Sequence, residues 1–553
     1  MGGPEPLPQD DEPDEQVAEK GAARHFAPIY SRWYAPGAPY MLGDMPIQPS
    51  EYDEVNEPAA WWNPYRQNKL KGDFPILGTE DVFLATTFTY RTLFNTRNLP
   101  TPTGISGSGA IDPDFFGDGK QDFWRHDVAF TLDFFKGQQG FKPVDWRIKV
   151  TPVFNYTDLG VEEVGVVKVD VTEGNTRQEA DLTIQEALIE YHLFDLSDRY
   201  DFVSSEIGVF PFRSDFRGFI FDDTNLGVRL FGNYDENKWQ YNLVYFDMLD
   251  KDTNSQLVEY SDRKQDVFIA NIYRQDWPVL GFQTSASFHY NHDFRGFHFD
   301  DNGFLVSPAP VGLAEPNDVE AYYFGLAGEG HFDRVNVTAA LYQVYGEDEN
   351  NPFAARDVDI NAHMGALELS YDVDWYRWRI FAMHSSGDDD MLDDDAEGFD
   401  AIFDAPNFAG GEFSFFNSQA IKLLGVNLTN ALSPQVDLQT SKFEGKSNFV
   451  NPGVNLIGVA WDAEVTPTLR AMIGSTYLRF SETAVLETFL QIPEVEREIG
   501  LEFFMGTQWR PLLTQNVILQ LGASALVPGD GFERIYQSDE TLYSVFFNSI
   551  LTW

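Results

Sequence analysis

From Val82 onward the chain alternates apolar and polar side chains with a period of two. In VDWRIKVTPVFNY, the set Trp146, Ile148, Val150, Pro152, Phe154 and Tyr156 interleaves with Asp145, Arg147, Lys149, Thr151, Val153 and Asn155. In FWRHDVAFTLDFF, Trp124, Val128, Phe130, Leu132 and Phe134 interleave with Arg125, Asp127, Ala129, Thr131 and Asp133. In REIGLEFFMGTQW, Ile499, Leu501, Phe503, Met505 and Trp509 form one face, with Glu498, Gly500, Glu502, Phe504 and Gln508 opposite. Successive side chains of a strand point to opposite faces, so each segment predicts a strand with one apolar face. Eighteen such segments fall near 82–95, 121–137, 143–158, 178–195, 201–212, 225–234, 237–250, 263–275, 279–292, 319–332, 333–347, 358–373, 375–386, 453–464, 467–482, 494–510, 515–528 and 540–552. Several exceed the five or six residues of an ordinary globular strand.

The links sort by parity. After even segments they are tight, as at 137–141, 196–200, 234–238, 372–376 and 464–468; after odd ones they are usually long, as at 96–120, 159–177, 293–318 and 387–452. A soluble sandwich has no reason to sort its connections this way, whereas outer-membrane barrels carry short periplasmic turns and long outer loops. The predicted fold is therefore all-β, a transmembrane antiparallel β-barrel of about 18 strands over residues 80–553 with a long loop at 387–452. The even count places both ends on the periplasmic side. Aromatics at segment ends (Trp124, Trp146, Tyr156, Trp239, Trp509) suit an interfacial girdle. The closing LYSVFFNSILTW, with Tyr543, Val545, Phe547, Leu551 and Trp553 on one face, resembles the aromatic-ended last strand by which such barrels are inserted.

Composition narrows the functional classes. The 553 residues hold 38 Lys+Arg against 87 Asp+Glu, a net charge of −49, which excludes nucleic-acid binding as the main activity. No Cys is present, which removes disulfide scaffolds, thiolate zinc sites and Cys nucleophiles. No apolar run reaches the ~18–20 residues of a helical span. The 12 Trp, 24 Tyr and 48 Phe are too many for a disordered acidic chain. A propeller would repeat every ~40–50 residues, and no such repeat occurs. GxSxG, Walker, GxGxxG and HExxH motifs are missing, and His25, His126, His192, His289, His292, His298, His331, His363 and His384 are scattered, so no enzyme is predicted. Residues 1–25 read as a disordered acidic tail rather than a signal peptide, consistent with a processed protein with an added Met. Residues 26–79, rich in Pro, Trp and Tyr, read as a periplasmic or plug segment.

With about 18 strands the interior is too wide for wall side chains to fill. The polar faces then line an aqueous channel: Arg125, Asp127 and Asp133; Asp145, Arg147 and Lys149; Glu186, Glu206 and Arg229; Arg377 and Arg379; Glu498 and Glu502. A cation facing mid-membrane lipid costs ~2–4 kcal/mol, which forces these residues inward. The expectation is a porin-like channel for passive diffusion of ions or small polar solutes, favouring cations at its acidic mouth. Loop 387–452 is the expected constriction, and the aromatic N-terminal stretch a second plug. The alternative is a barrel that sheathes a partner such as a multihaem cytochrome, docked through Trp33, Trp61 and Trp62. Surrounding lipid and further copies of the chain are the other expected partners. A short repeat, DFRGFIFDD at 215–223 and DFRGFHFDD at 293–301, places Arg217 and Arg295 at the outer rim, to brace loops against neighbouring Asp or to bind ligand. Asp388, Asp389, Asp390, Asp393, Asp394 and Asp395 form an acidic run that offers oxygen ligands for calcium, without the EF-hand order.

The stretch HSSGDDDMLDDDAEGFDAIFDAPNF (384–408), which opens the longest loop, resembles the corresponding loop of alginate-export-type outer-membrane barrels, an 18-strand porin-like family. GVFPFRSDFRGFIFDDTNLGVRLFGN (208–233) and KFEGKSNFVNPG (442–453) are similar to other bacterial outer-membrane proteins. The resemblance implies a porin-like barrel. The alginate exporters carry an arginine-lined lumen for a polyanion, and the mixed charge expected here departs from that pattern.

Overall fold

A computed structural model describes residues 61–63, 68–79, 81–102, 115–137, 143–426, 428–436 and 438–553. The expected acidic tail and most of the aromatic N-terminal stretch, Trp33 included, lie outside the described residues.

Among the described residues, eighteen strands of ten or more residues make up the wall. They are β1 (Val82–Asn98), β2 (Lys120–Lys136), β3 (Trp146–Val161), β4 (Thr176–Asp195), β5 (Phe202–Arg213), β6 (Asp222–Tyr234), β7 (Trp239–Lys251), β8 (Val258–Arg274) and β9 (Phe282–Asp293). The second half comprises β10 (Asp318–Phe332), β11 (Val335–Asn351), β12 (Arg356–Val373), β13 (Tyr376–Ser385), β14 (Val454–Thr466), β15 (Leu469–Phe480), β16 (Glu498–Trp509), β17 (Val517–Pro528) and β18 (Leu542–Thr552). Each pairs antiparallel with its chain neighbours, and β1 pairs antiparallel with β18 from Thr89↔Thr552 to Arg97↔Ser544, which closes the cylinder. All eighteen predicted segments are strands.

The alternation has its expected meaning. Side chains on the outer face, such as Phe130, Ile148, Leu182, Leu243, Leu326, Leu367, Ile457, Phe503 and Leu521, are apolar and exposed. That band has no favourable environment in water, and it is the surface a lipid bilayer covers. One rim carries the tight connections. The two-residue turns at 333–334 and 374–375 place Asp333 and Asp374 at φ 57° and 55°, a left-handed conformation that Asp tolerates in hairpin turns. The opposite rim carries the long loops. Both chain ends of the barrel lie at the short-turn rim.

At that rim β1 outruns its partner. β18 ends opposite Thr89, and the N-terminal segment continues its line: Gly72 N–H donates to Leu84 O at 2.9 Å, Thr86 N–H to Leu70 O at 2.7 Å and Ile76 N–H to Val82 O at 2.8 Å. Trp553 is clamped there. Its indole N–H donates to Trp62 O at 2.8 Å, and the Lys71 ammonium sits 3.8 Å from its ring centre. The described part of the N-terminal stretch therefore covers a bare strand edge rather than plugging the bore, which corrects that expectation for residues 61–63 and 68–79.

The core lies inside the barrel. The link from β13 to β14, residues 386–453, turns inward, and Phe399, Phe403, Phe408, Phe415, Phe416, Leu423 and Phe449 on it are buried. It supplies the apolar volume that the wall of so wide a barrel cannot. The shorter β5–β6 link also dips inside and buries Phe219, Ile220 and Phe221, with Phe221 bridged in parallel to Phe403.

Candidate functional site

The inner wall carries a belt of ion pairs, placed there because its members occupy the inward phase of successive strands. On β2 and β3, Arg125 Nε stands 2.8 Å from Asp127, and Arg147 reaches Asp133 at 3.0 Å and Glu190 on β4 at 3.4 Å. Lys149 pairs with Glu186 at 2.7 Å, where Thr151 also donates at 2.8 Å. On β5 and β6, Glu206 meets Arg229 at 3.3 Å, and Arg229 donates to Asn242 on β7 at 2.7 Å. Across the bore, Arg379 on β13 bridges Glu368 on β12 at 3.2 Å and Asp462 on β14 at 3.3 Å. The side chains of Arg125, Arg147, Lys149 and Arg229 stay 22–32% exposed, so these cations face solvent space rather than packed core. Arg377 joins the same phase at the short-turn rim, paired with Asp372.

Three expectations are corrected here. Asp145 precedes β3 and sits at the short-turn rim, where Lys136 stands 3.5 Å from it and 3.6 Å from Asp81; it does not line the lumen. Glu498 does not line it either. The ladder pairs Leu478 with Gly500 but Arg479 with Glu498, so Ile499 is an extra, bulged residue. The bulge turns Ile499, expected on the lipid face, fully inward and brings Glu498 to the outer-face Tyr477. Arg217 is not at the outer rim. The β5–β6 link carries it down the bore, where it donates to Glu329 at 3.0 Å and Thr338 at 2.8 Å, near the short-turn ends of β10 and β11. The second repeat copy does stay near the loop side, with Arg295 paired to Asp250 and donating to Glu444 O at 3.1 Å. The shared Asp does the same work in both copies: Asp215 accepts from Arg217 N–H at 2.8 Å and Asp293 from Arg295 N–H at 3.2 Å.

Residues 386–453 span the bore and fasten to the wall around its circumference. Arg97 on β1, fully buried, donates to Gln419 at 2.7 Å, Asn430 at 2.9 Å and Leu428 O at 2.6 Å. Arg263 on β8 donates to Phe443 O and, at 2.6 Å, to Gly445 O. Lys446 of the loop donates to Asp293 O at 2.9 Å and to Asn317 O. Phe408 packs between Phe219 and Phe381, and Phe413 against Phe546 of β18. Glu502, expected to line water, is buried instead and accepts from Phe416 N–H at 3.3 Å and from Phe415 N–H, the first turn of helix α1 (Phe415–Gln419). Sequence reasoning found the loop but missed its anchors. Arg97 and Arg263 sit on strands, and Arg97 occupies the inward phase, so an inward charge close to the loop-side end of a strand was the available signal.

Asp388 to Asp395 hold one another in turns. Asp388 accepts from Asp390 N–H at 3.0 Å and Asp393 from Asp395 N–H at 3.0 Å, while Asp394 pairs with Arg356; Asp389 points to solvent. Burial raises the Asp388 carboxyl to about 7, and that of Asp400, deeper in the loop, also to about 7. Among the described residues, the acidic side chains that converge within metal-ligand distance are Asp252, Glu259 and Asp301.

No family model matches the chain, and no curated protein matches it. Among solved structures it is similar to the Pseudomonas aeruginosa protein OccK1 (OpdK), at 10% identity and a TM-score of 0.46 over 85% of this chain and 99% of that one. It is also similar to a BenF-like porin from Pseudomonas fluorescens Pf-5, at 9% identity and 0.46 over 85% and 98%. Acinetobacter baumannii OccAB3 gives 9% and 0.47 over 85% and 99%. What the bore can pass is read from this chain's own side chains.

Proposed function

We propose that the protein is an outer-membrane channel for ions or small polar solutes, with its short turns and both barrel ends in the periplasm and its bore set by the inward-folded residues 386–453. One observation carries the reading: the arc of inner wall formed by β2 to β6 holds partly exposed, paired charges at the level of the apolar outer band. Charges cost several kcal/mol each to bring out of water, so a wall built only to be filled would carry apolar side chains there. The paired arrangement gives a solute both signs of charge to meet in turn, without a single-sign field. A sheath for a guest protein is disfavoured, because the chain's own loop occupies the space the guest would need.

The test is conductance in a planar lipid bilayer, comparing the full chain with a variant in which residues 399–449 are replaced by a short Gly-Ser linker. A channel predicts small or infrequent currents for the full chain and a several-fold larger, steadier conductance for the deletion. Silence from a correctly folded deletion variant would overturn the proposal.

A further inference from the structure

The barrel brings together two histidines that are 21 residues apart in sequence. The register of β12 and β13 sets His384 opposite Gly365, which makes His363 its diagonal neighbour on the same face of the wall. Both side chains are exposed on the outer face at the loop-side end of β13. Their Nε2 atoms stand 3.3 Å apart, and their ring centres 5.2 Å apart at an interplanar angle of 50°.

A chain of hydrogen bonds fixes the proton on His384. Ser481 Oγ donates to Ser385 O at 2.6 Å, so it is free to accept from Asn455 Nδ2 at 2.7 Å. That orients the Asn455 amide with Oδ1 toward His384 Nδ1, at 2.7 Å. Oδ1 can only accept, so Nδ1 carries the hydrogen and the bare lone pair of Nε2 faces His363. Donation of the second ring N–H to a carbonyl oxygen is the arrangement that orients metal-ligating histidines. The distances suit an ion as well. Two imidazole nitrogens on one tetrahedral ion at about 2.0–2.1 Å stand roughly 3.3 Å apart, with ring centres roughly 5 Å apart. An N–H···N bond would be long at 3.3 Å.

We propose that His363 and His384 form a site for a divalent transition-metal ion of the copper, nickel or zinc type, completed by water, with Asn455 as its positioning residue. Imidazole selects these ions, whereas the carboxylates abundant elsewhere on this chain suit calcium and magnesium. Its position gives it a structural consequence. His384 is the penultimate residue of β13, before the chain enters the bore, and Asn455 the second residue of β14, after it returns. A bound ion would tie β12 to both roots of the plug.

The experiment titrates the untagged, detergent-solubilised full chain with Cu²⁺ in excess calcium, followed by calorimetry and by electron paramagnetic resonance. The expected result is saturable binding of one ion per chain at this site, with a two-nitrogen hyperfine pattern. His363→Ala and His384→Ala should each weaken binding at least ten-fold and abolish the pattern, and Asn455→Ala should weaken it about ten-fold while keeping the stoichiometry. Both histidines are exposed, so these variants should fold, which an unchanged heat-dependent gel mobility checks. Absence of saturable binding, or binding of unchanged affinity in the double His363→Ala, His384→Ala variant, would overturn the proposal.

Discussion

Oε1 of Glu502, on the barrel wall, accepts the backbone N–H of Phe416, on the plug, at 3.3 Å. Together with the Phe415 N–H on the same oxygen, this gives a wall carboxylate the role of capping a short helix inside the bore. Glu502→Ala leaves two buried donors without an acceptor, at a cost of about 1–3 kcal/mol each. Openings in single-channel records should become more frequent, and Glu502→Gln, which keeps one acceptor, should show the smaller change. Identical records for Glu502→Ala and wild type would mean that the plug does not depend on this contact.

Arg379 offers a test of the wall itself. Its guanidinium is only 13% exposed and neutralises Glu368 and Asp462 on the two flanking strands. Arg379→Ala leaves Glu368 only Arg217, 3.7 Å away, and Asp462 only Arg470, at 3.4 Å, so the cost falls below the about 3–5 kcal/mol of a buried pair broken outright. Urea unfolding in lipid vesicles should show a lower midpoint. Adding Glu368→Gln and Asp462→Asn to that variant should recover most of the loss.

The pH response of the plug has a defined sign. Asp400, buried in the loop, has its carboxyl lifted to about 7 by burial, against the donors Asn448 N–H at 2.8 Å and Gln439. Its folded pKa exceeds its unfolded value, so its contribution to stability is full below about 4 and is lost as pH rises toward 7. Plug docking should be firmer at pH 5 than at pH 8, by at most a few kcal/mol from this group. Thermal melts should show the pH slope between 5 and 8 flattened in Asp400→Asn. An unchanged slope would remove Asp400 as its source.

Ion selectivity follows from the belt. Arg147 serves both Asp133 and Glu190, so Arg147→Gln leaves two unpaired carboxylates beside the bore. In the plug-deleted channel, reversal potentials under a salt gradient should move toward stronger cation selectivity. Asp133→Asn combined with Glu190→Gln should move them the other way. Both shifts should shrink near 1 M salt, where the screening length is about 3 Å.

The strands were legible because a barrel wall in lipid obeys one rule at every residue, and the inward phases of Arg125, Arg147, Lys149 and Arg379 followed from it. The exceptions arise where the period breaks. Ile499 suits either face, so nothing in its identity reveals the bulge that sends Glu498 outward. Asp145 keeps the right phase but sits beyond the last paired residue. Arg217 and Arg295 share a nonapeptide core yet land at different depths: the strands that lead into them, Phe202–Arg213 and Phe282–Asp293, are equally long, but one copy lies in the short link 214–221 and the other in the long link 294–317. The inward path of 386–453 is held by contacts such as Arg97 to Gln419, which are remote in sequence and leave no periodic trace.

Closure between β1 and β18 joins partners such as Arg91 and Asn548, which are 457 residues apart, so the first strand made waits for the last. Until those final residues are delivered, an incomplete ribbon presents two unsatisfied margins, the condition under which sheets pair with other chains. Loss of the terminal strand should therefore yield an aggregating ribbon and not a narrower cylinder, and assembly in the cell must keep that ribbon apart from its neighbours until the seam is made.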